Sequence, residues 1–151
     1  MALVNYVLDE TVALVTLDSG ENRFNPEFLN AFLEVLDAVE HATDARTLVV
    51  HSAHEKIFSN GIDLEWLAPV VRGGDGAAAQ AFFLQLNALF ARLVSYPLLT
   101  VAAINGHAFA GGAILACAFD FRFMRSDRGF FCLPEVALAI PFPPALPALH
   151  K

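Results

Sequence analysis

Two short glycine-bearing stretches carry the residues that could do chemistry, "FSNGIDL" (58–64) and "NGHAFAGG" (105–112). Each follows a run of β-branched and apolar residues, "TLVVHSA" (47–53) and "LLTVAAI" (98–104), of the kind a strand buried on both faces has. A helix entered through a glycine turn presents backbone N–H groups that have no partner within the helix. Two such donors converging on one point suit an enolate or a tetrahedral oxyanion, and removing one typically costs about 10²–10³ in rate. "NGHAFAGG" has no GK[ST] ending and does not match GxGxxG, so it is neither a phosphate-binding P-loop nor a dinucleotide fingerprint. Alone, its glycines read equally well as a turn between strand and helix. The presence of a second turn of the same character favours the oxyanion reading.

The elements that must hold these turns follow from pattern. "ALVNYVL" and "TVALVTLD" are β-favouring runs separated by Asp9-Glu10, which predicts a hairpin. Asn25, Pro26 and Glu27 form a helix start: a capping side chain, a proline in the first turn and an acid near the positive end of the dipole. Phe28, Phe32, Val35, Leu36 and Val39 fall on one helical stripe, carrying that helix to about His41. A strand over Thr47–Ala53, a loop over "HEKIFSNGIDLEWL", a bend at Gly73–Gly76 and a helix from about Ala77 to Ser95 follow, with Pro97 ending the helix. Strands and helices alternate, which predicts an α/β sheet with crossover helices and ligand sites where strands end.

Composition narrows the function. The 151 residues are enough for one domain with a sizeable core, and 56% of them are hydrophobic against 17% charged. A formal net charge of -7 leaves no basic stripe to displace phosphate counterions, which argues against nucleic acid. Cys117 and Cys132 form no CxxC or Cys/His cluster and read as reduced core thiols; no metal site is expected. The first residues lack a basic n-region and a signal peptide is not expected, nor is a peroxisomal C-terminal signal visible; a cytoplasmic location is the expectation. Residues 97–119 match a bilayer span in length and carry no formal charge, but Asn105, His107 and three glycines near their middle would be costly in lipid. No membrane span is expected.

"KIFSNGIDLEWL", "VAAINGHAFAGGAILACAFDFRFM" and "FFCLPEVALAI" resemble three successive signatures of the crotonase superfamily, the enoyl-CoA hydratases and isomerases. "VTLDSGENRFNPEFLNAFLEVLDAV" is similar to that family's N-terminal pattern, so the resemblance covers nearly the whole chain in order. It implies an α/β fold, the repeated ββα spiral core of the crotonases over residues 1–151, as a single incomplete domain without the family's usual C-terminal helices. Those helices complete the pocket and build a trimer in longer members, so a homotrimer or hexamer is the family expectation, doubtful without them. The partner implied is an acyl-CoA thioester, and no separate cofactor, since coenzyme A is part of the substrate.

The resemblance also assigns roles. The thioester oxygen would sit between the backbone amides of Ile62 and Gly111, and the loop Ser59, Asn60, Gly61, Ile62 and Asp63 would line the coenzyme A end, with Arg23 near its phosphates and Pro134 beside the catalytic acid. Hydratases of this family use two glutamates, one in "GGxE" and one in "PE". Here the first position is Ile114, which cannot hold or deprotonate water, and the second is Glu135. A single carboxylate in an apolar pocket suits removal of a proton at C2 and its return at C4, because desolvation makes it both a usable base and a usable acid. The implied activity is a Δ3,Δ2-enoyl-CoA isomerase of fatty-acid β-oxidation. The alternatives are an enoyl-CoA hydratase or another crotonase-type enzyme, and a non-catalytic remnant or interaction module. Asp63 reads as a helix cap or loop anchor, His107 as packed in a loop, and His51 and His54 as histidines without a partner.

Overall fold

The computed structural model describes residues 2–134. The hairpin forms as β1 (Val4–Asp9) and β2 (Val12–Leu17), antiparallel with Asp9 opposite Val12 and Glu10 at a positive φ of 51° in the turn. After the two-residue β3 (Arg23–Phe24) comes α1 (Pro26–Ala42). The Asn25 side chain accepts the Phe28 N–H, as its sequence position before Pro26 predicts. Phe28, Leu29, Phe32, Leu36 and Val39 form its buried stripe. The run 47–53 follows as β4 (Thr47–Ser52), but Leu48, Val50 and Ser52 are buried while Thr47, Val49 and His51 are half-buried, so one face is fully covered and not both.

The segment expected as a loop is structured. It holds β5 (Ile57–Ser59), β6 (Gly61–Ile62) and the start of α2 (Leu64–Arg72). Strands of two or three residues are shorter than any period that alternation could reveal, which is why pattern alone misses them. A glycine turn leads to α3 (Gly76–Val94), then β7 (Leu99–Ile104), β8 (His107–Phe109), α4 (Gly111–Cys117), β9 (Phe121–Met124) and β10 (Phe131–Cys132).

Strands β1-β2-β4-β7-β9 form one five-stranded sheet, parallel from β2 onward. Strands β10-β8-β5 form a second sheet, and β3 pairs with β6 in a small third one. The β4-to-β5 and β7-to-β8 connections carry the chain from the large sheet to the second one. The core lies between the inner face of the large sheet (Ala13, Val15, Leu48, Val50, Ala102) and the helices, where Phe28, Phe32, Leu36, Leu89 and Leu93 are buried. Burying each of these Val, Leu or Phe side chains contributes roughly 1.5–3 kcal/mol. Tyr96, just after α3, donates its hydroxyl to the Leu36 carbonyl at 2.6 Å, and burial pushes its pKa up to about 12. Residues 99–104 are a strand and 111–117 a short helix, so the uncharged stretch 97–119 is no membrane helix. Among the described residues α3 alone is long and apolar enough to cross a bilayer. Its Phe82, Leu86, Leu89, Phe90 and Leu93 are buried in the core.

Candidate active site

The two glycine turns meet. Gly61 has a positive φ of 76°, and a Cβ placed on it would lie 2.6 Å from the Gly111 nitrogen. Gly112 is packed as tightly: a Cβ there would lie 2.1 Å from the Ser59 carbonyl oxygen. The backbones of residues 59–62 and 111–112 therefore touch at a distance only glycine permits. Beneath Gly111 lies the buried ring of Phe24, which stacks on Phe28 at 5.7 Å and meets Phe90 edge-on at 6.4 Å.

The direction of the N–H groups follows from the pairing around them. Asp63 N–H bonds to the Phe24 carbonyl at 2.9 Å, across the β3–β6 pair. Successive N–H groups along an extended strand point to opposite sides, so that of Ile62 points away from β3. On the other turn, Ala110 adopts a φ of 48°, and its carbonyl accepts both the Ala113 N–H (2.9 Å) and the Ile114 N–H (3.1 Å). Gly111 precedes the first of these helical bonds, so α4 gives its N–H no acceptor.

A cavity of about 450 Å³ opens here, lined by Arg23, Asn60, Ile62, Leu64, His107 and Phe109. Leu64 and Phe109 are lining residues that the sequence did not single out. His107 begins β8 rather than sitting in a loop. Its Nδ1 accepts the Phe130 N–H at 3.2 Å and its ring stacks on Phe130 at 5.4 Å. That bond leaves the proton of the neutral ring on Nε2.

Other expected site residues are placed as follows. Arg23 is held by Glu21 (Nη2 to Oε2, 2.6 Å) and by Glu65 (3.2 Å), on the rim of the cavity. Asn60 donates to the same Glu21 carboxylate at 2.9 Å. The Asn60 amide and then the Arg23 guanidinium hold the Glu21 carboxyl below its usual range. Asp63 caps α2, accepting the Glu65 and Trp66 N–H groups, and takes a further bond from the Asn25 amide at 3.1 Å. Ser59 is fully buried, its hydroxyl spent on the Asn22 carbonyl (2.7 Å) and the Gly61 N–H (3.2 Å). Its side chain therefore supports the loop from within. Ile114 is 4% exposed, part of the core one turn after Gly111. Pro134 is half-buried just beyond β10, and Glu135 lies outside the described residues. His51 is not without a partner: its Nε2 is 2.9 Å from the Thr16 hydroxyl on the neighbouring strand. His54 likewise accepts the Lys56 N–H at 3.1 Å.

The sequence model of the family described as enoyl-CoA hydratase/isomerase matches residues 8–146. The chain belongs to this family. Similar curated members include "Enoyl-CoA delta isomerase 2, peroxisomal" of Arabidopsis thaliana, 36% identical over 141 residues, which cover 91% of the chain and 58% of that protein. A putative enoyl-CoA hydratase of Thermus thermophilus is 40% identical over 118 residues, 77% of the chain and 46% of that protein. Among solved structures, an enoyl-CoA hydratase of Mycobacterium ulcerans superposes with a TM-score of 0.84 at 29% identity, over 97% of the chain and 62% of its own length. The apo enoyl-CoA isomerase of Mtb gives 0.83 at 27%, over 98% and 62%. The fold is thus that of the crotonases, and the chain spans roughly half to three-fifths of the length of these family members.

Proposed function

We propose that this family member moves the double bond of a 3-enoyl-CoA to the 2-trans position. The observation that supports the reading is the contact of Gly61 with Gly111, which holds Gly111 against the residue before Ile62, itself a lining residue of the cavity. Both would donate to the thioester oxygen. Their bonds strengthen as charge builds there in the dienolate, so the transition state is favoured over the bound substrate. Glu135 takes the proton from C2 and returns it at C4; the substrate loses and regains one proton, and no water is consumed. Arg23 is the cation lining the cavity, and to meet the coenzyme A phosphates its guanidinium would exchange its Glu21 and Glu65 partners for them. No separate cofactor enters the scheme. Assembly into trimers or hexamers accompanies this proposal as the family's habit, to be read by sedimentation at several protein concentrations.

Ile114 separates this reading from hydration. A hydratase of the two-glutamate type needs a second carboxylate one turn after Gly111, and the side chain there is a buried isoleucine. Relatives named delta isomerases support the same choice. The assay follows conversion of 3-enoyl-CoA to 2-trans-enoyl-CoA beside water addition to crotonyl-CoA. Isomerisation without 3-hydroxyacyl product is the expected result. A 3-hydroxyacyl product would establish the hydratase reading, and no turnover of either substrate would leave this chain a non-catalytic member.

A further inference from the structure

Four polar residues are buried among the described residues, Asn22, Ser52, Ser59 and Thr100, and three of them form one cluster. We propose that Asn22, through Ser59, is a positioning residue that sets the separation of the two backbone donors; this rests on the reading of Ile62 and Gly111 as those donors. Asn22 is fully buried and holds a φ of 50°, a conformation asparagine tolerates better than most side chains. Its amide bonds to three segments of the chain. Its Oδ1 accepts the Ser19 N–H at 2.9 Å, closing the turn before β3. Its Nδ2 donates to Ser52 Oγ at 2.7 Å, at the end of β4, and to the Phe58 carbonyl at 2.9 Å, in β5. Its own carbonyl accepts the Ser59 hydroxyl at 2.7 Å.

Ser59 carries this order to both turns. Its Oγ accepts the Gly61 N–H at 3.2 Å, one residue before the Ile62 donor. Its carbonyl is the group against which Gly112 packs, one residue after the Gly111 donor. The two donors thus sit on either side of one serine whose position is set by Asn22. Because β3 begins at Arg23, the same asparagine also fixes where β3 meets β6. Two rigid donors must lie 2.7–3.1 Å from the developing oxyanion, and a displacement of about 1 Å can cost roughly 10²-fold in rate.

The test uses Asn22→Gly, which keeps the positive φ while deleting the amide, and Ser59→Ala, which deletes a single hydroxyl. Steady-state kinetics on 3-enoyl-CoA are combined with the infrared carbonyl stretch of bound butanoyl-CoA labelled with ¹³C at the thioester. In the parent protein the stretch should move to lower frequency on binding, reporting two donors. In both variants kcat should fall roughly 10- to 100-fold with KM changed less than about threefold, and the carbonyl stretch should move back towards its free value. If Asn22→Gly fails to fold by circular dichroism, Ser59→Ala decides. A normal carbonyl shift and unchanged kcat in a folded variant overturn the proposal while leaving the donor assignment standing. No carbonyl shift in the parent protein overturns both.

Discussion

Replacing Gly61 by alanine should damage stability and turnover together, and the structure separates the causes. The first is conformational: at φ 76° a non-glycine residue is strained by about 1–2 kcal/mol. The second is contact. The new methyl would lie 2.6 Å from the Gly111 nitrogen and 3.1 Å from the Phe109 carbonyl oxygen, both backbone atoms that cannot swing aside. Overpacking of this kind costs typically 1–3 kcal/mol, so the sum is about 2–5 kcal/mol. At 2–4 °C per kcal/mol, the melting temperature should fall by on the order of 10 °C. Because the methyl displaces a proposed donor, kcat should fall roughly 10²–10³-fold. Gly74 provides the control: it has the same φ of 76°, and nothing lies within 4 Å of a Cβ built on it. Gly74→Ala should therefore show the conformational part alone, about 2–8 °C, with turnover unchanged. Differential scanning calorimetry and steady-state kinetics on the three proteins decide. If Gly61→Ala matches Gly74→Ala in melting temperature and retains kcat within threefold, the packed contact does not hold the donors and the reasoning fails.

Glu135→Gln should lower isomerase turnover by roughly 10²–10⁴-fold while acyl-CoA still binds, as equilibrium titration would show. Ile114→Ala removes a side chain that is 4% exposed, and chemical denaturation should register a loss of about 2–5 kcal/mol. Tyr96 has its folded pKa raised to about 12 from an ordinary 10, so the stability it contributes is whole below pH 10 and is lost as pH rises from there through 12. Tyr96→Phe should abolish that alkaline slope and, by deleting the bond to Leu36, cost about 1 kcal/mol at neutral pH; urea melts between pH 7 and 11 would read both.

Local pattern determined much of this molecule. The hairpin at Asp9-Glu10, the helix begun by Asn25-Pro26-Glu27 and the strands before each glycine turn follow from capping, periodicity and β-branching, interactions that act within a few residues. The two turns stood out as places for chemistry because glycines after buried strands leave backbone donors free, and the order of the motifs carried the family. What lay beyond reach depends on groups far apart in the chain. That Gly61 touches Gly111 is a contact across fifty residues, made only when β3, β6 and α4 pack together. That Ser59 faces inward, that His51 finds Thr16 on the next strand, and that "KIFSNGIDL" holds two short strands are likewise results of pairing between segments. Asn22 shows the difference most plainly. In the sequence it is one more polar residue in a turn; buried among Ser52, Phe58 and Ser59, its amide has no water to fall back on, and its geometry becomes part of the site.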